Sequence, residues 1–147
     1  MWQWMPGVLE TLPELSKRFK RIFIVSNQQG VAKGLMTQAD LDAIHTNMLR
    51  DIEAAGGHID RVYTCTDLQD SGSLNRKPAI GMALQAKHDF PEVDFTRSVM
   101  VGDSVSDMLF ARNAQMRAVY LTKNNPIPAE VRDVTDLIAE CVPSLRF

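Results

Sequence analysis

The stretch Val99-Met-Val-Gly-Asp103-Ser-Val-Ser-Asp107 runs an apolar strand directly into two carboxylates held at a strand-to-helix turn. Val99 to Val101 read as a buried parallel strand, Gly102 permits a tight turn, and Ser104 or Ser106 caps a helix that begins near Val105. Asp103 then projects from the carboxyl end of the strand, the edge at which open α/β sheets bind their ligands. A hard carboxylate oxygen at that edge suits Mg²⁺, which keeps several waters and takes one or two protein carboxylates together with substrate phosphate. Asp107, four residues on, lies on the same helical face. Taken alone, Gly-Asp-Ser is equally well a turn followed by a helix cap, and the other loops that reach the same edge decide between the two.

Upstream, Arg21-Ile-Phe-Ile-Val25 is short, β-branched and continuous, the pattern of a strand buried on both faces, and the loop Ser26-Asn-Gln-Gln-Gly30 follows its carboxyl end. Before it, Val8, Leu9, Leu12, Leu15 and Phe19 are spaced for an amphipathic helix over about residues 7 to 20, with Pro13 inside the run. Thr37 and Asp40 form a variant capping box opening a helix whose apolar stripe is Leu41, Ile44, Met48, Ile52 and Ala55, and Gly56-Gly57 ends it. Ile59 to Thr66 predicts a further strand, Asp67 to Arg76 a water-exposed loop, and Pro78 the first position of a helix to about His88. Beyond Asp103 the pattern predicts a helix to about Ala114, a strand over Arg117 to Leu121 and a last helix near Asp133 to Glu140. Short apolar strands alternating with helices predict an α/β fold: one three-layer, Rossmann-like domain over residues 1–147 with a parallel sheet.

Composition narrows the function classes. With 147 residues, 45% hydrophobic and 23% charged, the chain has apolar content for one core. A formal charge of −2 leaves no basic surplus for a nucleic-acid backbone, so nucleic acid is not expected as a partner. No apolar run approaches the roughly 18 residues that cross a bilayer, and the N-terminus lacks the basic and apolar regions of a signal peptide, so the expected setting is cytoplasmic. Cys65 and Cys141 lie in different elements without ligand spacing, which fits buried thiols better than a zinc site or a disulfide. His45, His58 and His88 have no carboxylate or cysteine at ligand spacing, and the methionines fall mostly at apolar positions as core filling.

Three loops thus come after strands in the same sense and reach one edge of the sheet: Ser26-Asn27, Arg76-Lys77, and Asp103 with Asp107. A hydroxyl and an amide can hydrogen-bond phosphoryl oxygens, a lysine supplies positive charge, and a carboxylate holds a metal that neutralises developing negative charge. Together they make a set of parts for phosphoryl transfer. A response-regulator-like receiver shares the α/β fold, an acidic pocket and a lysine, but its lysine follows its phosphoacceptor on a late strand, whereas Lys77 precedes Asp103.

On Trp4-Met-Pro-Gly-Val8, Ser26-Asn-Gln-Gln-Gly30-Val-Ala-Lys-Gly34, Arg76-Lys-Pro78, Gly102-Asp103 and Asp107, the chain resembles the haloacid dehalogenase superfamily, in the branch of heptose bisphosphate and histidinol-phosphate phosphatases. That resemblance implies that Ser26 and Asn27 contact the transferring phosphoryl group, Lys77 steadies nucleophile and phosphate, and Arg76 touches the substrate. It also implies that Asp103 ligates Mg²⁺ with Asp107 in support. The implied substrate is a small phosphorylated metabolite such as D-glycero-D-manno-heptose 1,7-bisphosphate or histidinol phosphate, attacked by an aspartate to give an aspartyl-phosphate that water hydrolyses.

Two departures stand out. The family's nucleophile and general acid come from an Asp-x-Asp-Gly motif on the first, central strand, and no Asp-x-Asp-Gly occurs in the 147 residues. The sequence therefore predicts a truncated domain missing that strand and inactive by itself, with a non-catalytic phosphate-binding or interaction module as the alternative. Loss of a central strand removes ladder bonds and buried aliphatic area. The flanking strands are then expected to close up, or another chain to donate a strand, or the domain to be poorly stable, with Trp2 and Trp4 favouring self-association. Relatives often carry a Cys/His-rich zinc loop before the Arg-Lys pair; Asp67 to Asn75 has only Cys65 nearby, so no structural zinc is expected.

Overall fold

The computed structural model describes residues 7–68, 70–123 and 126–145, and the chain falls into two units, Met1–Ser71 and Gly72–Phe147, each with its own sheet. Trp2 and Trp4 lie outside the described residues. No described helix is long and apolar enough to cross a membrane.

The first unit holds α1 (Val8–Arg18), β1 (Phe23–Asn27), α2 (Gln38–Ala54) and β2 (Arg61–Cys65). Helix α1 matches the expected pattern and continues through Pro13. The capping box at α2 is present as read: Asp40 N–H donates to Thr37 Oγ1 and Thr37 N–H to Asp40 Oδ2, each at 3.0 Å. Of the apolar stripe, Leu41, Met48 and Ile52 are buried, while Ala55 becomes the exposed cap residue and Gly56 turns away at φ 92°. Strands β1 and β2 run parallel in the register Phe23↔Arg61 to Asn27↔Cys65.

Two expectations for β1 are corrected. The strand covers 23–27 instead of 21–25, because Arg21 and Ile22 are engaged by Asp60 ahead of the ladder. Asp60 Oδ2 accepts the Ile22 N–H at 2.8 Å, Ile22 O accepts the Asp60 N–H at 2.8 Å, and Arg21 Nη1 lies 2.8 Å from Asp60 Oδ1. Ser26 and Asn27 are therefore the last two strand residues, paired with Thr64 and Cys65, and not the start of a loop. The strand is also half-buried along its whole length, not buried on both faces.

The second unit holds α3 (Gly81–Asp89), β3 (Val99–Gly102), α4 (Val105–Asn113), β4 (Arg117–Leu121), α5 (Ala129–Arg132) and β5 (Leu137–Ala139). Its sheet is all parallel in the order β3-β4-β5. Alternation along β4 sends side chains to two faces. Ala118 and Tyr120 join Met108, Ala111 and Val131, with Met100 of β3 against them. Val119 and Leu121 pack with Leu145, and Val99, Val101, Leu137 and Ala139 lie against that cluster. Strand β4, with a strand on each edge and apolar groups on each face, is buried at four of its five positions.

Three further expectations give way in this unit. Strand β3 is half-buried at all four residues instead of buried; its one strand neighbour among the described residues is β4. Helix α3 begins at Gly81, not Pro78, because residues 76–80 form a turn in which Ala79 N–H reaches Arg76 O at 2.9 Å and Gly81 N–H reaches Leu74 O at 2.8 Å. The last helix expected over 133–140 is replaced by the short α5 and by β5. Asp136 fastens β5 beside β4: its carboxylate accepts the Ala118 N–H at 2.8 Å and its own N–H donates to Ala118 O at 2.9 Å. Cys65 is buried and Cys141 partly so, both as free thiols.

Candidate functional site

The carboxyl ends of β3 and β4 lie side by side, since the two strands are parallel neighbours with Gly102 opposite Tyr120. Local chemistry starts α4 directly after β3, as Ser104 Oγ accepts the Asp107 N–H at 3.2 Å and lies 3.0 Å from Ser106 Oγ. Ser104 is thus the cap among the two candidates. The cap turns Asp107 back over the strand end. A β-carbon on Gly102 would fall 2.4 Å from both Cβ and Oδ2 of Asp107, so glycine is needed there for space.

Asp107 is a buried carboxylate with both oxygens engaged. Lys77 Nζ lies 2.5 Å from Oδ1, each side chain only 9% exposed, and Oδ2 accepts the Asp103 N–H at 3.2 Å. A charge this far from water needs such partners, because desolvation otherwise disfavours the ionised form. The segment that delivers Lys77 is tied to the end of α4, where Asn113 Nδ2 donates to Pro78 O at 3.1 Å. Lys77, Asp107 and the Asp103 backbone form one connected group, although Lys77 is 30 residues distant in sequence from Asp107.

The Asp103 side chain differs from that of Asp107. It is 43% exposed and makes an ion pair through Oδ2 with Lys123, itself 39% exposed. Lys123 was not among the candidates read from sequence. Its position two residues beyond the end of β4, just as Asp103 stands one beyond β3, is the signal that could have found it. Arg76, next to Lys77, has a buried Nη1 without a hydrogen-bond partner. Ser26 and Asn27 belong to the first unit, at the carboxyl end of β1, where Ser26 Oγ accepts a hydrogen bond from Gln28 Nε2 at 2.7 Å.

The donor set limits the kind of cation that fits. Among the described residues no group of three or more His, Cys, Asp or Glu side chains is placed to hold a metal ion. Asp103 offers one partly exposed carboxylate, while Asp107 has both oxygens committed. One hard oxygen donor with room for water and phosphate fits Mg²⁺, which is commonly bound by one or two carboxylates, and does not fit a closed structural site.

The chain is similar to known proteins in sequence and in fold. The sequence model of the family described as "Polynucleotide kinase 3 phosphatase" matches residues 1–124. A D-glycero-beta-D-manno-heptose-1,7-bisphosphate 7-phosphatase from Rhodopseudomonas palustris is 36% identical over 119 residues, covering 76% of this chain and 66% of the relative. A D-glycero-alpha-D-manno-heptose-1,7-bisphosphate 7-phosphatase from Mycobacterium bovis is 32% identical over 117 residues, covering 80% of this chain and 62% of the relative. The chain therefore spans slightly less than two thirds of the length of these two curated relatives. The crystal structure of a D,D-heptose 1,7-bisphosphate phosphatase from B. bronchiseptica, complexed with magnesium and phosphate, superposes with a TM-score of 0.83 at 27% identity, covering 97% of this chain and 81% of that one.

Proposed function

Because the chain belongs to the polynucleotide kinase 3 phosphatase family, in the heptose bisphosphate branch of the haloacid dehalogenase superfamily, we propose that it forms the cation- and phosphate-holding part of a phosphatase domain for a small phosphorylated sugar. A heptose 1,7-bisphosphate is the leading substrate, since relatives named for its alpha and beta forms both match. The observation that carries the reading is the Lys77–Asp107–Asp103 group at the carboxyl edge of β3 and β4.

Asp103 is the residue that would hold the cation, a hard carboxylate oxygen of the kind that suits Mg²⁺. Mg²⁺, when bound, would supply positive charge to offset the negative charge of the phosphoryl oxygens. Asp107 is a positioning residue: it holds the Lys77 ammonium and, through the Asp103 N–H, the loop that carries the ligand. Lys77 presents positive charge to phosphate and Arg76 contacts the substrate, while Ser26 and Asn27 of the first unit offer a hydroxyl and an amide of the kind that hydrogen-bond phosphoryl oxygens. All of these roles are binding and orientation.

The 147 residues contain no Asp-x-Asp-Gly motif, which favours a second reading in which this chain alone binds an anion without turning it over. Titration of inorganic phosphate in the presence of Mg²⁺, monitored by calorimetry, with p-nitrophenyl phosphate turnover measured alongside, tests both. Binding that weakens roughly ten-fold or more in Lys77→Ala and Asp103→Asn is expected, since charge-assisted contacts are the strong ones. Binding indifferent to both substitutions would overturn the site. Turnover that disappears in Asp103→Asn would make the chain an enzyme in its own right and remove the second reading.

A further inference from the structure

We propose that Lys123 is a tethered competitor for the cation at Asp103, so that its ammonium sets how tightly the site takes a divalent ion. This inference rests on Asp103 as the cation ligand, the assignment made under the proposed function. Three observations support it. Lys123 pairs with the very carboxylate that is partly open, while the other lysine of the edge, Lys77, is engaged by Asp107. Lys123 also adopts a left-handed backbone, φ 52°, which a residue with a side chain seldom takes without something holding it. The end of the sheet holds it: Thr122 N–H donates to Ala139 O at 2.9 Å and Lys123 N–H to Glu140 O at 3.1 Å. The backbone of Lys123 is thus fixed at the sheet end, beside the strand that carries Asp103.

A divalent ion on Asp103 and an ammonium paired with the same carboxylate are like charges in one place, so each disfavours the other. The pair is partly exposed, so the ammonium can be displaced, and water screens its hold on the carboxylate. The apparent cation affinity is then the intrinsic one reduced by the fraction of molecules in which Asp103 is released.

Mn²⁺ binding to the full 147-residue chain, read by the EPR signal of the free ion, separates the possibilities. Lys123→Gln removes the charge at similar length, and Lys123→Gly removes it at a position whose φ glycine accepts, so the fold is retained. Both variants are expected to bind Mn²⁺ roughly three- to ten-fold more tightly than the parent at low ionic strength, with the gap narrowing at about 0.5 M salt. Asp103→Asn is expected to abolish binding with or without the Lys123 change. If Asp103→Asn abolishes binding but the Lys123 variants bind no more tightly than the parent, the competitor role is wrong and the ligand assignment stands. If Mn²⁺ does not bind, or binds irrespective of Asp103→Asn, the ligand assignment fails and the competitor role falls with it.

Discussion

The two units fasten their parallel strands in the same way and bury them differently. In the first, Asp60 just ahead of β2 accepts the N–H of Ile22 and returns its own N–H to Ile22 O; in the second, Asp136 just ahead of β5 does the same to Ala118. The clamp is therefore one local device used twice. The strands beyond it are not alike. No residue of β1 is buried, whereas four of the five residues of β4 are, because β4 has strand neighbours on both edges and apolar clusters on both faces. Pairing geometry is set close to the backbone, while burial depends on how many layers surround the strand.

The contrast extends to the loops leaving the strands. Beyond β1, a β-carbon on Gly30 would meet ordinary contacts at 3.7 Å from Met36. At the end of β3, one on Gly102 would overlap Asp107 at 2.4 Å. The strand end in the second unit has a buried carboxylate folded back onto it, and that is where the candidate chemistry lies.

Breaking the second unit's core has the largest expected effect. Phe110 is 1% exposed, and Phe110→Ala should lower the unfolding free energy in urea by about 3–5 kcal/mol. A loss below about 1 kcal/mol would mean that the core of this unit is not close-packed. Next, Gly102→Ala should cost about 1–3 kcal/mol, as overpacking does, and should weaken phosphate binding with it, whereas Gly30→Ala should be near neutral. Equal effects at the two glycines would erase the distinction between the two strand ends.

The smallest effect belongs to the clamp, and it sharpens the comparison through pH. Burial works to raise the pKa of Asp60, but hydrogen bonds from Arg21, the Ile22 N–H and His58 outweigh it, and the net shift is downward. A carboxyl whose folded pKa is depressed contributes stability above its unfolded value, near 3.9, and that contribution is lost as pH falls through the folded value. Asp60→Asn should therefore lower stability by about 1 kcal/mol at neutral pH and flatten the acid limb below about pH 4. Thermal melts of parent and variant between pH 7 and pH 3 measure this, and parallel curves would show that Asp60 is not the titrating clamp.

Much of the local architecture was legible in the residues. The reciprocal Thr37–Asp40 cap and the strand Arg117–Leu121 came out where the pattern put them, and the α4 cap is Ser104, one of the two serines the pattern offered, since each depends on neighbours within a few positions. Lys77, Asp103 and Asp107 were singled out from residue type and strand-end placement, and the fold joins them through two hydrogen bonds to Asp107.

Local pattern could not decide the features created by contact across the chain. Leu137–Ala139 is a strand because Asp136 fastens it beside Ala118, and nothing within the segment's own three residues requires that state. Residues 21–22 leave the ladder because a carboxylate 38 positions later takes the Ile22 N–H. Strand β3 is half-buried because burial is a property of neighbouring layers. Lys123 reaches Asp103 only because β3 and β4 are parallel neighbours ending at the same edge. Caps, turns and strand identity rest on short-range hydrogen bonds that a linear reading can anticipate. Which side chain neutralises which charge depends on distances closed only when the sheet assembles.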